Sequence, residues 1–258
     1  IRLGSRSFAI TQLASGAVFP KISAIANGAS FTSGLTAGSW FVVTGTNLAQ
    51  TTRTWTDSDF ITDKLPTSLD GISVKVGGRD AYPYFISPTQ LNVLAPNIVT
   101  SGPVSIEVAN RFGRSTTVAI AKPVDPAFFV VGPTTDGRSS AAAVHPDGTL
   151  VGVPGSISGV TMRSARPGAS IVIFGTAFGA TNPPVSDGII GFPAAPLARE
   201  LTVFLGGQRA IVAFAGVVGP GLVQVNLQVP EFLPPGLHSV VAQVGGEESS
   251  QSVVIAVE

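Results

Sequence analysis

The stretch AGSWFVVTGTNLAQ (Ala37–Gln50) decides the fold, because it returns later in the chain as PGASIVIFGTAFGA (Pro167–Ala180). In each copy four consecutive apolar residues predict a core strand, and the glycine that follows lets the chain turn where a Cβ would obstruct it. Repetition of such a unit indicates architecture and not chemistry. The copies align at two glycines and a threonine: Gly38 with Gly168, Gly45 with Gly175, and Thr46 with Thr176.

Two further blocks repeat in the same order, which indicates a duplicated domain. VKVGGRDA (Val74–Ala81) aligns with VFLGGQRA (Val203–Ala210), and QLNVLAP (Gln90–Pro96) aligns with QVNLQVP (Gln224–Pro230). Each Gly-Gly pair is typical of a tight hairpin turn. A period of about 130 residues is too long for a solenoid or a propeller blade, so each copy is expected to be a self-contained domain.

Strand signals recur about every 8 to 12 residues within each copy, a spacing typical of immunoglobulin-like β-sandwiches. The sequence therefore predicts an all-β fold of two tandem immunoglobulin-like sandwiches with an N-terminal accessory strand. We place an N-terminal tail at residues 1–18, the first sandwich at 19–122 and the second at 123–258. The boundary falls in AKPVDPAFF (Ala121–Phe129), where Pro123 and Pro126 predict a short, stiff linker. HPDG (His145–Gly148) predicts an additional hairpin in the second domain.

Composition excludes several classes of function. Only 12% of the residues are charged and 15 basic residues balance 15 acidic ones, so nucleic acid is not expected as a partner. No apolar stretch has the length needed to span a bilayer. The absence of cysteine excludes disulfides and thiolate chemistry. Because the chain begins with Ile1, we expect an exported, extracellular or cell-surface protein that has lost a signal peptide, or a fragment of a longer protein.

Several motifs carry a resemblance to known families. VVTGTNLA and IVIFGTAFG resemble the first strand and turn of IPT/TIG domains, which are immunoglobulin-like. LPTSLDGISVKVGG, ISPTQLNVLAP and AGVVGPGLVQVNLQVP resemble, more specifically, an uncharacterised C-terminal module of exported Acidobacteria proteins of the Solibacter type. The resemblance runs from about Phe19 to the C-terminus. It implies tandem sandwiches used outside the cell, and it implies no catalytic residues.

The leading segment, Ile1 to Val18, has no counterpart before the second repeat. Its apolar residues Leu3, Phe8, Ile10 and Leu13 include an alternation that is typical of a half-buried strand. Three interpretations stay open: an edge strand of the same chain, a strand that adds to the sheet of a neighbouring copy, or the end of a longer upstream protein. If each subunit gives one strand and accepts one, the result is a head-to-tail filament.

Candidate metal and catalytic residues are few. Asp57, Asp59 and Asp63 lie in WTDSDFITD and have the oxygen ligands that calcium prefers, but a solvated loop explains them without a metal and is the favoured interpretation. The two histidines, His145 and His238, have no nucleophile motif nearby. We therefore expect no enzymatic activity and no cofactor, with calcium as a minor alternative.

The aromatic residues Trp55, Tyr82 and Tyr84 are candidates for ligand binding, because flat rings stack on sugars and their polar tips form hydrogen bonds. Core or interface burial is the competing interpretation, and Trp40 is assigned to a core strand. The paired QLN and QVN motifs, with Gln90 and Asn92 in the first copy, are interpreted as structural side chains that bond to backbone in a loop.

These observations favour a non-catalytic extracellular structural protein. The first hypothesis is a self-associating surface or filament subunit whose N-terminal strand adds to the sheet of another copy. The alternative is a carbohydrate-binding or adhesive module of a larger exported protein. A spacer without a ligand is a third, weaker hypothesis.

Overall fold

The computed structural model describes residues 2–3, 6–7, 18–97, 101–134, 136–250 and 252–258. Within these ranges the chain is almost entirely β, and its one helical element is a single 3₁₀ turn, η1 (Asp57–Asp59). This confirms the predicted all-β class of tandem sandwiches. No helix in the described ranges is long and apolar enough to cross a membrane.

Two short strands at the N-terminus pair only with each other among the described strands. They are β1 (Arg2–Leu3) and β2 (Arg6–Ser7), and their antiparallel ladder pairs Arg2 with Ser7 and Leu3 with Arg6. These four described residues therefore pair with each other, and an accessory strand within residues 1–18 stays a prediction. The predicted strand residues Phe8, Ile10 and Leu13 lie outside the described residues.

The first sandwich consists of a five-stranded sheet in the order β3-β5-β11-β10-β6 and a six-stranded sheet in the order β4-β13-β12-β8-β7, with β9 paired to β8. Its strands are β3 (Lys21–Asn27), β4 (Leu35–Thr36), β5 (Trp40–Thr46), β6 (Arg53–Thr54), β7 (Ser68–Leu69), β8 (Ile72–Val76), β9 (Arg79–Asp80), β10 (Tyr82–Ile86), β11 (Gln90–Leu94), β12 (Gly102–Asn110) and β13 (Gly113–Lys122).

The second sandwich consists of an eight-stranded sheet in the order β19-β18-β17-β20-β25-β24-β21, with β14 paired to β20, and a seven-stranded sheet in the order β15-β16-β28-β26-β22-β23, with β27 paired to β26. Its strands are β14 (Ala127–Phe128), β15 (Val130–Pro133), β16 (Ser139–Ala141), β17 (Ala143–Val144), β18 (Leu150–Val151), β19 (Met162–Arg163), β20 (Ser170–Thr176), β21 (Ala195–Pro196), β22 (Leu201–Leu205), β23 (Gln208–Arg209), β24 (Ile211–Gly219), β25 (Leu222–Gln228), β26 (Gly236–Val244), β27 (Glu247–Glu248) and β28 (Val253–Val257).

Each sandwich has its own hydrophobic core, built by strands in which alternate residues are buried. In β8 the sequence ISVKV buries its first, third and fifth residues, and in β25 the sequence LVQVNLQ alternates in the same way. One core centres on Phe41, Val74 and Leu91, and the other on Phe128 and Val225. The predicted boundaries at residues 18, 122 and 258 stay predictions, since the sheets show only where the strands begin and end.

The repeated glycine has a different role from the one predicted. Gly45 and Gly175 lie inside β5 and β20, not at a turn. A Cβ on Gly45 would clash with the carbonyl oxygen of Lys21, and one on Gly175 would clash with that of Ala127. The glycine therefore allows the first strand of each sandwich to approach closely.

The turn predictions are confirmed. Gly77–Gly78 closes the β8–β9 hairpin and Gly206–Gly207 closes the β22–β23 hairpin, and all four residues have positive φ, as the favoured two-residue hairpin turn requires. The His145–Gly148 turn joins β17 to β18, in which Val144 pairs with Leu150.

The two sandwiches are joined by the linker and by a loop. In the linker, the Asp125 carboxylate pairs with Lys122 at 2.8 Å, while the Asp125 backbone N–H donates to Ala177 of the second sandwich. A loop of the second sandwich, residues 182–192, lies against the first. The Asp187 carboxylate of this loop accepts hydrogen bonds from the Arg79 guanidinium and the Asn97 backbone N–H, both at 2.7 Å. No local sequence pattern predicts this loop contact.

Candidate aromatic binding cleft

Three aromatic rings of the first sandwich line a cleft at its junction with the second. The ring centroids of Trp55 and Tyr84 are 5.0 Å apart, those of Trp40 and Tyr84 are 5.7 Å apart, and those of Trp40 and Trp55 are 6.1 Å apart. The pairs are tilted or edge-to-face, the geometry that aromatic rings prefer. The cleft has a volume of about 360 Å³, within the usual range of small-molecule sites.

The outer face of the five-stranded sheet carries two of these rings. Phe41 and Val43 of β5 face the core, so alternation turns Trp40 to the opposite face. In β10 the pairing with β11 shifts between Pro83 and Phe85, and Tyr84 is the residue in this bulge. A bulge redirects its side chain, and Tyr84 is consequently the most exposed of the three rings.

Trp55 is held by the loop that carries it. The Arg53 guanidinium donates to both oxygens of Asp59, at 2.7 and 2.9 Å, and the Thr56 backbone N–H donates to the same carboxylate. The bond to Arg53 is the main reason that the pKa of Asp59 lies well below its usual range. The indole N–H of Trp55 donates to the Pro83 carbonyl at 2.6 Å, which fixes the ring against β10.

The second sandwich supplies the opposite wall of the cleft. The indole N–H of Trp40 donates to the carbonyl of Pro220 at 3.0 Å, and the Trp40 backbone N–H donates to the Thr176 hydroxyl at 3.1 Å. Gly221 has φ of +64°, and a Cβ there would lie 2.5 Å from Leu94 and 2.8 Å from the Trp40 ring. Only glycine therefore allows this turn to approach the ring so closely.

Few polar groups face the cleft, and they are neutral. The Asn92 side-chain oxygen accepts a hydrogen bond from the Gln90 amide at 2.7 Å, which leaves the Asn92 amide N–H₂ group without a partner among the described residues. The Tyr84 hydroxyl also has no hydrogen-bond partner in the described chain. No described residue that lines the cleft is charged. The cleft therefore offers apolar ring surface together with one amide and one hydroxyl.

The second sandwich has the same strand frame without two of these rings. Its β24 and β25 contain an equivalent bulge, between Val212 and Phe214, and its Gln224 amide donates to Asn226 at 2.7 Å, as in the first copy. The positions equivalent to Trp40 and Tyr84 by strand register are occupied by Ser170 and Ala213.

The structure brings together only part of the predicted aromatic set. Trp55 and Tyr84 line the cleft, whereas Tyr82 lies elsewhere, against the loop of residues 182–192. A Cβ on Gly188 would lie 2.7 Å from the Tyr82 ring, and burial there raises the pKa of the Tyr82 hydroxyl. Trp40, assigned to the core from sequence, is a half-buried wall of the cleft. The alternation of buried and outward-facing residues could not be read from WFVV, because all four residues are apolar.

The QLN and QVN motifs lie inside strands and bond within each pair, so the predicted bonds to loop backbone are wrong. In both copies the glutamine and the asparagine are two residues apart on the same face of a strand, where they can reach each other directly.

The predicted calcium ligands are not brought together. The Asp59 carboxylate is paired with the Arg53 guanidinium, and the Asp63 backbone carbonyl accepts a hydrogen bond from the Ile190 backbone N–H. No group of three His, Cys, Asp or Glu residues in the described ranges could hold a metal ion. Calcium binding by Asp57, Asp59 and Asp63 stays a prediction that this arrangement does not favour.

The two histidines lie in structural settings. His145 is buried beside the carbonyl oxygen of Arg163 at 3.2 Å, and the ring of His238 lies 2.7 Å from the carbonyl oxygen of Pro234. Neither histidine lines the aromatic cleft.

The first sandwich matches a known family. An IPT/TIG domain is found over residues 20–120. This match confirms the coarser part of the resemblance, and the likeness to the Solibacter-type module stays a prediction. A search of the curated proteins found no match.

Several solved structures are similar to the chain at low identity. The extracellular region of plexin A4 is 14% identical with a TM-score of 0.30, over 99% of this chain and 20% of that one. SGBP-B from a xyloglucan utilization locus of Bacteroides uniformis is 11% identical with a TM-score of 0.25, over 92% of this chain and 48% of that one. The Escherichia coli adhesin FdeC is 12% identical with a TM-score of 0.27, over 93% of this chain and 64% of that one. These likenesses carry no argument about function.

Proposed function

We propose that the chain is a non-catalytic, extracellular binding module that holds a neutral polysaccharide in the aromatic cleft. The observation that carries the proposal is the placement of Trp40, Trp55 and Tyr84 around one cleft, on a frame that the second sandwich builds with Ser170 and Ala213 instead. Aromatic side chains that one sandwich has and the other lacks at equivalent positions are candidates for ligand binding.

The chemistry of the lining selects the class of ligand. Pyranose rings have apolar C–H faces that stack on aromatic rings, and their hydroxyl groups bond to amides and hydroxyls. The Asn92 amide and the Tyr84 hydroxyl supply such groups. Since no described residue that lines the cleft is charged, a neutral glycan is favoured over a uronate or a sulfated polymer.

The proposed lack of catalysis rests on the same lining. Glycoside hydrolysis needs a pair of carboxyl groups that flank the bond to be cleaved. Among the described residues around the cleft there is no carboxylate and no imidazole. The cleft is therefore suited to hold a sugar chain and not to cut it. The extracellular location is part of the proposal, since structural polysaccharides of this kind lie outside cells.

Affinity electrophoresis in gels that contain hydroxyethylcellulose or polygalacturonate tests the proposal. We expect retardation by the neutral polymer only, and a loss of about tenfold in affinity for Tyr84→Ala, since stacking and one hydrogen bond are removed together. Phe232→Ala is the matched control, because Phe232 is 84% exposed and lies outside the cleft.

Two results would overturn the proposal. One is retardation that is equal for the wild-type chain and Tyr84→Ala. The other is binding of a proline-rich peptide, which also suits aromatic grooves, without binding of any neutral glycan.

Self-association is a second candidate function, and one observation favours it. The last strand of the first sandwich, β13, is paired on its outer side only at Ala121 and Lys122 among the described residues. An open strand edge is a ready partner for another strand. Sedimentation velocity over a range of concentrations tests this candidate: assembly that rises with concentration supports it, and a monomer at every concentration contradicts it.

A further inference from the structure

A second cavity lies beside the aromatic cleft, on the other side of the turn that contacts Trp40. It has a volume of about 380 Å³ and is lined by Tyr82 and Leu94 of the first sandwich, by the Pro220–Gly221 turn of the second, and by much of the loop of residues 182–192. Pro220 also lines the aromatic cleft, so the two cavities share a wall. We call the second one the loop cavity.

Both cavities lie on one face of the five-stranded sheet. Tyr82 of β10 pairs with Leu94 of β11, and Leu94 pairs with Trp40 of β5. Residues that pair directly face the same side of a sheet, so Tyr82 and Trp40 share the outer face. Neighbouring strands lie about 4.8 Å apart, so the Cα atoms of Tyr82 and Trp40 are separated by about 10 Å. A ligand longer than the aromatic cleft therefore has the loop cavity within reach.

Strand β10 contributes a tyrosine to each cavity. Tyr84 lines the aromatic cleft and Tyr82 lines the loop cavity, while Pro83 between them is buried. With a rise of about 3.4 Å per residue, the Cα atoms of the two tyrosines lie about 7 Å apart. Neither tyrosine is fully buried. A chain that stacks on Tyr84 can therefore continue along β10 to Tyr82.

The loop of residues 182–192 is fixed to the first sandwich and presents a carboxylate to the cavity. The Asn97 side-chain amide donates to the Val185 carbonyl at 2.9 Å. The Arg79 guanidinium and the Asn97 backbone N–H each donate to a different oxygen of the Asp187 carboxylate. Because a carboxylate has about four lone-pair sites, Asp187 can still accept hydrogen bonds from hydroxyl groups of a ligand.

Two hydroxyl groups of the loop cavity have no hydrogen-bond partner among the described residues. They belong to Tyr82 and to Thr181, which is 9% exposed. A hydroxyl group that leaves water without a new partner loses free energy, so both groups favour a ligand that bonds to them. The charged side chains of the described lining are Asp187, which is paired, and Arg199, which packs against the turn between β26 and β27. The lining therefore suits a neutral molecule rich in hydroxyl groups.

We propose that a single chain of a neutral polysaccharide occupies both cavities, so that the ligand is an extended oligosaccharide segment and not a single sugar unit. One part of the segment stacks on the rings of the aromatic cleft. The next part follows β10, and its hydroxyl groups bond to the hydroxyls of Tyr82 and Thr181 and to the Asp187 carboxylate. The inference rests on the proposed function and adds the length of the ligand to it.

Isothermal titration calorimetry with cellobiose and cellohexaose tests the inference. Cellobiose can fill one cavity and cellohexaose can reach both, so we expect about tenfold higher affinity for cellohexaose from the additional hydrogen bonds. The double variant Tyr82→Phe with Thr181→Val keeps the size of both side chains and removes their hydroxyl groups. It should bind cellohexaose about tenfold more weakly than the wild-type chain and cellobiose equally well. Thr116→Val is the matched control, because Thr116 is exposed on β13 and lines neither cavity.

Equal affinity of the wild-type chain for the two oligosaccharides would overturn the inference and leave the aromatic cleft as the whole site. A gain with length that the double variant keeps would also overturn it, since the additional sugar units would then bond elsewhere. A loss of the same size for cellobiose and cellohexaose would place the short ligand in the loop cavity and contradict a ligand that spans both. Absence of binding by either oligosaccharide and by hydroxyethylcellulose would refute the proposed function itself.

Discussion

The two sandwiches share one frame and differ at two surfaces. The second sandwich pairs β16 with its last strand and has Ser170 and Ala213 on the outer face of its sheet. Among the described residues, the first pairs the outer side of β13 only at Ala121 and Lys122, and it places Trp40 and Tyr84 at the equivalent positions. Comparison of the two sandwiches gives an internal control that a single domain lacks. What both copies keep belongs to folding, and what only one copy has is a candidate for function.

The largest effect is expected at equivalent positions of the two last strands that differ most in exposure. Val254→Asp places an unpaired carboxylate in a buried site, which should lower the free energy of unfolding by at least ~4 kcal/mol. Val118 is equivalent to Val254 by strand register, since Gly102 pairs with Ala121 and Gly236 with Val257, and it is 65% exposed whereas Val254 is 1% exposed. Val118→Asp should therefore change the free energy of unfolding by less than ~0.5 kcal/mol. Denaturant unfolding at low protein concentration measures both. Similar losses for the two variants would show that the Val118 side chain is packed against other residues.

A smaller effect is expected at the turn that closes the cleft. Gly221→Ala introduces a Cβ into Trp40 and Leu94 at a positive φ, so strain and crowding should together lower the free energy of unfolding by ~2–4 kcal/mol. Gly71→Ala is the matched control, with φ of +76° and nothing within 4 Å of a Cβ. The control should lose only ~1 kcal/mol. Equal losses of stability in Gly221→Ala and Gly71→Ala would mean that the Trp40 ring has room for a Cβ at position 221.

Substitutions of the two equivalent asparagines, Asn92 and Asn226, distinguish an effect on stability from an effect on ligand binding. Asn92→Ala and Asn226→Ala each remove a hydrogen bond to a glutamine, so each should cost ~1 kcal/mol of stability. Only Asn92 lines the cleft, and we expect about tenfold weaker retardation by hydroxyethylcellulose for that variant alone. A matching loss of affinity in Asn226→Ala would move the binding site away from the first sandwich.

The smallest effect concerns pH. The pKa of Asp59 is depressed by Arg53, so the ion pair that holds the Trp55 loop is fully present above the ordinary carboxyl pKa of about 4 and is lost as pH falls through the depressed value. Affinity for hydroxyethylcellulose should therefore be constant from pH 7 to 4. Asp59→Asn should weaken binding by less than about threefold, equally at both ends of this range. A loss of wild-type affinity between pH 6 and 4 would contradict this assignment.

Much of the fold could be predicted from sequence, because the same strand and turn motifs occur in both halves of the chain. The hairpin turns at Gly77–Gly78 and Gly206–Gly207 follow from local chemistry, since both positions need positive φ. The contact made by residues 182–192 could not be predicted, because Asp187 meets Arg79 and Asn97 only once both sandwiches are folded. No local pattern marks such a pairing.

The site was only partly predictable. Exposed aromatics suggested Trp55 and Tyr84, but the direction of Tyr84 depends on a bulge, and bulges leave no clear trace in composition. Tyr82 looks the same in sequence and is turned to the loop of residues 182–192. The wall at Pro220 belongs to the other sandwich, so only the folded chain brings it to Trp40.

The emission of the two tryptophans gives the most direct test of the central claim, that binding is located in the aromatic cleft of the first sandwich. Both tryptophans of the chain, Trp40 and Trp55, line the cleft, so a ligand that enters must change their surroundings. We predict a saturable change in tryptophan fluorescence on titration with hydroxyethylcellulose, with the same Kd as retardation in the gel. Retardation with unchanged fluorescence would place the ligand elsewhere and contradict the account.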